Sequence, residues 1–237
     1  NLVYAKDGNN IISAAGSFNG IAAGDGIDIL TSLGNTNITL GSNGLNTISA
    51  LGNTNLLAGG ADKDIISTVG TTNIMLGGGG DNILSAVGTT NLMQANEGDD
   101  IISAAGATNV LVAGDGDNIV TAIGSNNKAI AGDGDDIITA LGGQNVVLGG
   151  DGDNTVTLAG GSNVGITGAG NDTLTTLGHT NINVTGAGND IATAVGKNNA
   201  VLAGDGNDIV TTAGKLNAVA AGSGDDIVTL AGMNNLA

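Results

Sequence analysis

The chain has 237 residues, a net charge of −17, five lysines, no arginine, one histidine and no cysteine or proline. That balance argues against nucleic acid and anionic membranes as partners and favours cations, and it leaves no disulfide to stabilise a fold. No apolar run reaches transmembrane length, so no membrane insertion is expected. Tyr4 and Phe18 are the only aromatic residues, so the core must be thin and built from Ala, Val, Ile and Leu.

From Lys6 to Ala237 the sequence cycles with a period of 18 residues, without insertion or deletion. A fixed period of this length predicts a solenoid, in which each repeat is one coil and neighbouring coils share a core. With Lys6 as position 1, positions 1 to 5 read as a Gly-rich turn, as in "GDGDN" at 114–118. Positions 6 to 10 read as a strand dominated by β-branched residues, as in "IITAL" at 137–141. Positions 11 to 14 read as a second turn, with Gly at 11 and Asn at 14 in every copy, as in "GSNN" at 124–127. Positions 15 to 18 read as a second short strand, as in "VVLG" at 146–149. Two Gly-rich turns per coil leave no useful helical run.

The expected fold is therefore all-β: one parallel β-solenoid domain over residues 1–237, with 18 residues per coil, about 13 coils and no separate caps. Rungs about 4.8 Å apart would give a rod of about 62 Å. Positions 6 and 7 are both mostly apolar, yet neighbours on a regular strand point to opposite faces. One apolar ladder is expected to face outward and favour lateral association; a bulge turning both residues inward is the alternative. The Asn column at position 14 is expected to be a structural amide ladder. The Ser/Thr column at position 8 is either an internal hydroxyl ladder or a hydrated outer row. His179 reads as a solvated turn residue.

All 22 acidic residues fall at positions 2 to 5, so exact stacking gathers them on one edge. The opposite turn meets similar geometric needs with Asn, Thr, Ser and Gly and no acid, so turn geometry alone does not require carboxylates. At position 5 the residue alternates Asn, Asp from Asn10 to Asp172 and then stays Asp at Asp190, Asp208 and Asp226. Asn between two carboxylates doubles their spacing while still offering an oxygen.

"GGDGDNTVT" at 149–157, "AGDGDDIIT" at 131–139 and "AGDGNDIVT" at 203–211 resemble the calcium-binding nonapeptide of RTX proteins, G-G-x-G-x-D-x-U-x. The resemblance implies a right-handed parallel β-roll, with Ca2+ between successive turns held by an aspartate and by backbone carbonyls. Carried over position by position, that aspartate falls on Asp28, Asp64, Asp100, Asp136, Asp172, Asp190, Asp208 and Asp226. Calcium takes six to eight oxygens, so the neighbouring acids Asp25, Asp99, Asp115, Asp117, Asp133, Asp135, Asp151, Asp153, Asp205 and Asp225 are candidate metal residues too. Turns with several acids are expected to bind best, and "SNGLN" at 42–46, without a carboxylate, worst. The resemblance covers the whole length but only one half of each coil.

These features point to a secreted or cell-surface, non-enzymatic, calcium-stabilised solenoid: a structural subunit of an extracellular filament, matrix or surface layer. The chain starts at position 14 and stops at position 16 without a polar cap, so self-assembly, head-to-tail and lateral, is expected. A calcium-dependent ice-binding solenoid is the alternative, on the run Thr36, Thr54, Thr72, Thr90 and Thr108 at position 13, read as lying in a turn. A spacer or secretion module of a larger secreted protein is another. With one His and no Cys or Arg, catalysis would rest on carboxylates along an edge without a cleft.

Overall fold

Strands that alternate apolar and small residues can bury only one face, and a coil of two such strands buries both inward faces against each other. The computed structural model describes residues 1–237 and contains strands, turns and bends but no helix. The chain divides into two compact units, Asn1–Asp115 and Gly116–Ala237.

The first unit holds β1 (Leu2–Tyr4), β2 (Ile11–Ala15), β3 (Phe18–Ala22), β4 (Ile29–Leu33), β5 (Thr36–Leu40), β6 (Thr47–Leu51), β7 (Thr54–Gly60), β8 (Ile65–Val69), β9 (Thr72–Gly79), β10 (Ile83–Val87), β11 (Thr90–Glu97) and β12 (Ile101–Val112). All pairing is parallel with a step of one repeat. Ile29 pairs with Thr47, Thr47 with Ile65, Ile65 with Ile83 and Ile83 with Ile101. The second unit holds β13 (Ile119–Ile130), β14 (Ile137–Leu148), β15 (Thr155–Ile166), β16 (Thr173–Ala187), β17 (Ile191–Asp205), β18 (Ile209–Ser223) and β19 (Ile227–Leu236). It steps in the same way, from Ile119 against Ile137 to Ile209 against Ile227. The predicted parallel β-solenoid is thus the fold of each unit.

The two turns differ more than their sequences suggest. At position 3, the twelve coils with Gly all have positive φ, from 83° at Gly80 to 149° at Gly26, and Asp62 alone does not. The second turn is milder than expected. Its glycines lack positive φ apart from Gly232, so this corner does not use the left-handed conformation of the first. In the second unit it keeps pairing there, Gly124 with Gly142 and Gly142 with Gly160. Only positions 11 and 12 bend, and only in the first unit. Position 14 lies in the strand, and Thr36, Thr54, Thr72, Thr90 and Thr108 begin paired strands or sit within them rather than in a turn. Gly is needed at position 11 for space: a Cβ on Gly34 would fall on the carbonyl oxygen of Gly16 and 2.7 Å from Asn19 Nδ2.

Side chains at positions 5, 7, 9, 14, 16 and 18 point inward. Leu30, Ile48, Ile66, Leu84 and Ile102 from one wall meet Leu57, Met75, Met93 and Leu111 from the other, all fully buried; each contributes about 1.5–3 kcal/mol. Volume is balanced within a coil. Leu158 replaces the usual small residue at position 9, and position 16 of that coil is Gly165, where a Cβ would come 2.6 Å from Leu174 Cδ1. Polarity is balanced likewise: Ser32 Oγ lies 3.1 Å from Thr39 Oγ1, and Thr176 Oγ1 donates to Asn183 Oδ1 at 2.9 Å.

Position 7 is the inward ladder and position 6 the outward one, so no bulge turns both inward. Ile137 at position 6 is 51% exposed whereas Ile138 is 1% exposed. Positions 10 and 17 add further outward apolar ladders, with Leu33, Leu51 and Val87 on one and Leu40, Ile130 and Leu202 on the other. The Ser/Thr column at position 8 lies on the outer face, partly or fully exposed.

Candidate metal edge

Apart from Asp62 at position 3, the Gly-rich turn carries its acids in three columns with different surroundings. At position 2, Asp25, Asp115, Asp133, Asp151 and Asp205 are exposed, as are Asp99, Asp117, Asp135, Asp153 and Asp225 at position 4. Several of these carboxylates cap the backbone of the next coil. Asp151 Oδ1 accepts from the N–H of Ala169 at 2.8 Å, Asp135 Oδ1 from that of Asp153 at 2.7 Å, and Asp153 Oδ1 from that of Asn171 at 2.6 Å. Asp25 Oδ1 accepts from Ser42 Oγ at 2.9 Å. Their remaining oxygen surface faces solvent.

Position 5 is different. Asp28, Asp64, Asp100, Asp136, Asp172, Asp190 and Asp208 are buried, and Asp226 is half-buried. Position 5 lies buried under the turn in every coil from Asp28 to Asp208, the Asp62 coil without positive φ at position 3 included. One carboxylate oxygen is used in the same way along the column: Asp64 Oδ1 accepts from the N–H of Asn46, Asp136 Oδ1 from Asn118, Asp172 Oδ1 from Asn154 and Asp190 Oδ1 from Asp172, at 2.7–2.8 Å. The other oxygen, Oδ2, has no partner in Asp28, Asp64, Asp136, Asp172, Asp190 and Asp208. A buried, ionised oxygen without a partner costs several kcal/mol. Its effect appears in the acidities. Burial pushes Asp64, Asp100 and Asp136 up to about 6, partly offset by the hydrogen bonds from Asn46, Asn82 and Asn118. Burial also raises Asp172 and Asp208.

The Asn coils show what surrounds that oxygen. Asn46 Nδ2 donates to the carbonyls of Ser42 and Gly44, each at 2.9 Å. Asn154 Nδ2 donates to those of Gly150 at 3.1 Å and Gly152 at 3.0 Å. Carbonyls only accept, so the amide nitrogen must face them. The amide oxygen is then turned toward the preceding coil, where Asp64 N–H reaches Asn82 Oδ1 at 2.9 Å and Asp136 N–H reaches Asn154 Oδ1 at 3.0 Å. The Asn oxygen read from the sequence as a spare ligand is occupied in these two coils; Asn46 Oδ1 has no partner.

A divalent cation suits the Asp coils. It would give each Oδ2 a positive partner and draw on carbonyls at positions 1 and 3, which are hard oxygen donors of the kind calcium takes. No three His, Cys, Asp or Glu side chains converge on one point, so backbone oxygens would supply much of any coordination. Backbone carbonyls were already implied by the resemblance, but the Asn Nδ2 donors that face them escaped the sequence reading. The signal for them was the Asn/Asp alternation itself, since the two side chains match in shape but differ in one donor.

A shallow groove of about 780 Å³ in the first unit is lined by Leu33, Leu51, Val69 and Val87 with the corner residues beside them, none ionisable. His179 is exposed, with Nδ1 3.5 Å from Thr180 Oγ1.

The RTX calcium-binding nonapeptide repeat, as a four-copy model, matches residues 40–69, 85–120, 121–156, 157–192 and 184–214, more than half of the chain. No curated protein and no solved structure matches it. Stacked nonapeptides, a buried aspartate column beside Gly-rich carbonyls and this match agree: the chain belongs to the RTX calcium-binding nonapeptide repeat family, a β-solenoid whose cofactor is Ca2+.

Proposed function

We propose that this chain is a secreted, non-enzymatic solenoid that calcium stabilises and that serves as a structural subunit of an extracellular filament, matrix or surface layer. The position-5 aspartates Asp28, Asp64, Asp100, Asp136, Asp172, Asp190, Asp208 and Asp226 hold the metal together with backbone carbonyls. The exposed acids at positions 2 and 4 cap the turns and draw cations to the edge. RTX repeat proteins are typically secreted, and extracellular calcium is abundant enough to fill sites of modest affinity.

The observation that carries the structural role is charge segregation. Positions 6, 8 and 10 never carry a charged residue in any coil, and they form the outer face of one wall. Six rungs of a five-residue strand present on the order of 400 Å² on that uncharged wall, where mostly apolar columns at positions 6 and 10 flank the Ser/Thr column at position 8. Lateral contact between copies would cover it while the acidic edge stays in solvent.

Electron microscopy of the purified chain in millimolar calcium and in chelator tests this. Ordered lateral assemblies are expected in calcium, and Ile119→Lys with Ile137→Lys should disperse them without lowering Tm. A monomer at high concentration in calcium, unaffected by the lysines, would refute the structural role. One observation favours a second reading, ice binding: Thr36, Thr54, Thr72, Thr90 and Thr108 stand in exact register across five coils. Thermal hysteresis in calcium would support it.

A further inference from the structure

In three successive coils of the first unit, the same point in space holds nitrogen, oxygen and nitrogen. A Cβ on Gly41 would come 2.7 Å from Asn46 Nδ2, a Cβ on Gly59 would strike Asp64 Oδ2, and a Cβ on Gly77 would come 2.9 Å from Asn82 Nδ2. The backbone around that point is shared as well. In the second unit, Gly132 and Gly134 before Asp136 have φ of 114° and 133°, and Gly150 and Gly152 before Asn154 have 98° and 115°. The carbonyls that Asn154 Nδ2 satisfies therefore have counterparts in the Asp136 coil, facing an oxygen that cannot donate to them.

We propose that the Asn coils carry their own substitute for the cation. The Asn N–H2 group fills the slot that calcium fills in the Asp coils, donating to the carbonyls that would otherwise ligate metal. An Asn coil then binds no calcium, however many acids its turn carries at positions 2 and 4. "GDGDN" at 150–154, with Asp151 and Asp153, is metal-free, whereas "GAGND" at 168–172, with one acid, is a metal coil. The residue at position 5 sets occupancy, and the count of carboxylates in the turn does not.

The two ends of the chain then depend on metal to different degrees. From Asn10 to Asp64 an amide-filled coil separates each pair of carboxylates. From Asp172 through Asp190 to Asp208 there is no amide, and each carboxylate takes the N–H of the aspartate before it, Asp172 on Asp190 and Asp190 on Asp208, both at 2.8 Å. Without calcium that run stacks buried carboxylates about 4.8 Å apart with nothing of opposite charge between them. Calcium therefore governs the end of the second unit most strongly. This rests on the reading of position 5 as the calcium column.

The test counts calcium on the intact chain by native mass spectrometry in saturating calcium and follows hydrogen exchange in chelator. The wild type should load no more than one ion per position-5 aspartate, eight in all. Asn154→Asp should gain one ion. Asp64→Asn should lose one, and its Tm in chelator should rise by a few °C. In chelator, backbone amides between Asp172 and Asp208 should lose protection before those around Asn46. Uptake well above eight ions, no gain in Asn154→Asp while the wild type loads calcium, or a lower Tm for Asp64→Asn in chelator would each overturn the substitution. Absence of calcium from all three proteins would remove the calcium column itself, and the proposal with it.

Discussion

The Asn edge and the Gly–Asp edge close the same coil by opposite means. At position 14, Asn163 Nδ2 donates to Asn181 Oδ1 at 2.8 Å and to the carbonyl of Leu177 at 3.0 Å, while its own Oδ1 accepts from Asn145 Nδ2 at 2.8 Å. Donors and acceptors balance, so the ladder needs nothing from solvent. At position 5, the Asp coils place an acceptor beside acceptors and leave Oδ2 of Asp136, Asp172 and Asp190 unpartnered. One edge is complete in the polypeptide, and the other, on the proposed reading, is completed by an ion. A stack of identical coils can thus be made conditional by changing one amide to a carboxylate.

The sharpest way to break the contrast is to damage the self-sufficient edge. Asn163→Ala strands the Asn145 donor and an acceptor on Asn181 in a buried interior, which costs about 2–4 kcal/mol, or roughly 5–15 °C in Tm. The loss should be the same in calcium and in chelator; a loss seen only in chelator would tie this edge to the metal. Gly160→Ala is next. Its Cβ would meet the Gly142 carbonyl oxygen and lie 2.8 Å from Asn145 Nδ2, so overpacking should cost about 1–3 kcal/mol, again independent of calcium and read by thermal melting.

The Gly–Asp edge should answer to pH instead. Asp64, Asp100 and Asp136 are raised from 3.8 to about 6 in the folded chain. The folded state then binds protons more tightly than the unfolded state between those values, so metal-free stability falls as pH rises from about 4 through 6. Tm in chelator should be higher at pH 5 than at pH 7.5. The increment from added calcium should show the reverse trend, because protons compete for the same oxygens. A chelator Tm that climbs from pH 5 to pH 7.5 would contradict the burial of these groups. The smallest effect belongs to the exposed columns: Asp153→Asn keeps an acceptor for the N–H of Asn171 and should change stability by less than about 0.5 kcal/mol, with calcium uptake unchanged.

Much of this was legible in the residues. An 18-residue period without indels specifies a stacked coil, and an Asn in every copy of position 14 specifies a ladder, because a single gap would strand two partners. The segregation of acids to positions 2–5 marked the edge. The resemblance singled out position 5, but the difference in burial was hidden: the turn geometry exposes Asp151 and buries Asp136. The second corner was misjudged because Gly suggested a tight turn; there it permits close approach of stacked backbones, as at Gly34 over Gly16. The outward ladders at positions 10 and 17 were missed because side-chain direction was followed only at positions 6 and 7; in the first unit the second strand also begins at position 13, two positions before where composition placed it.

The most direct test of the central claim, that calcium completes the position-5 edge, is calorimetry of the same chain in excess chelator and in millimolar calcium at neutral pH. Binding to the folded state alone adds about 2.7 kcal/mol per site at a hundredfold excess over Kd. A large rise in Tm that follows the logarithm of calcium concentration is expected. An unchanged Tm would contradict it and leave the buried aspartates to be held by the polypeptide alone.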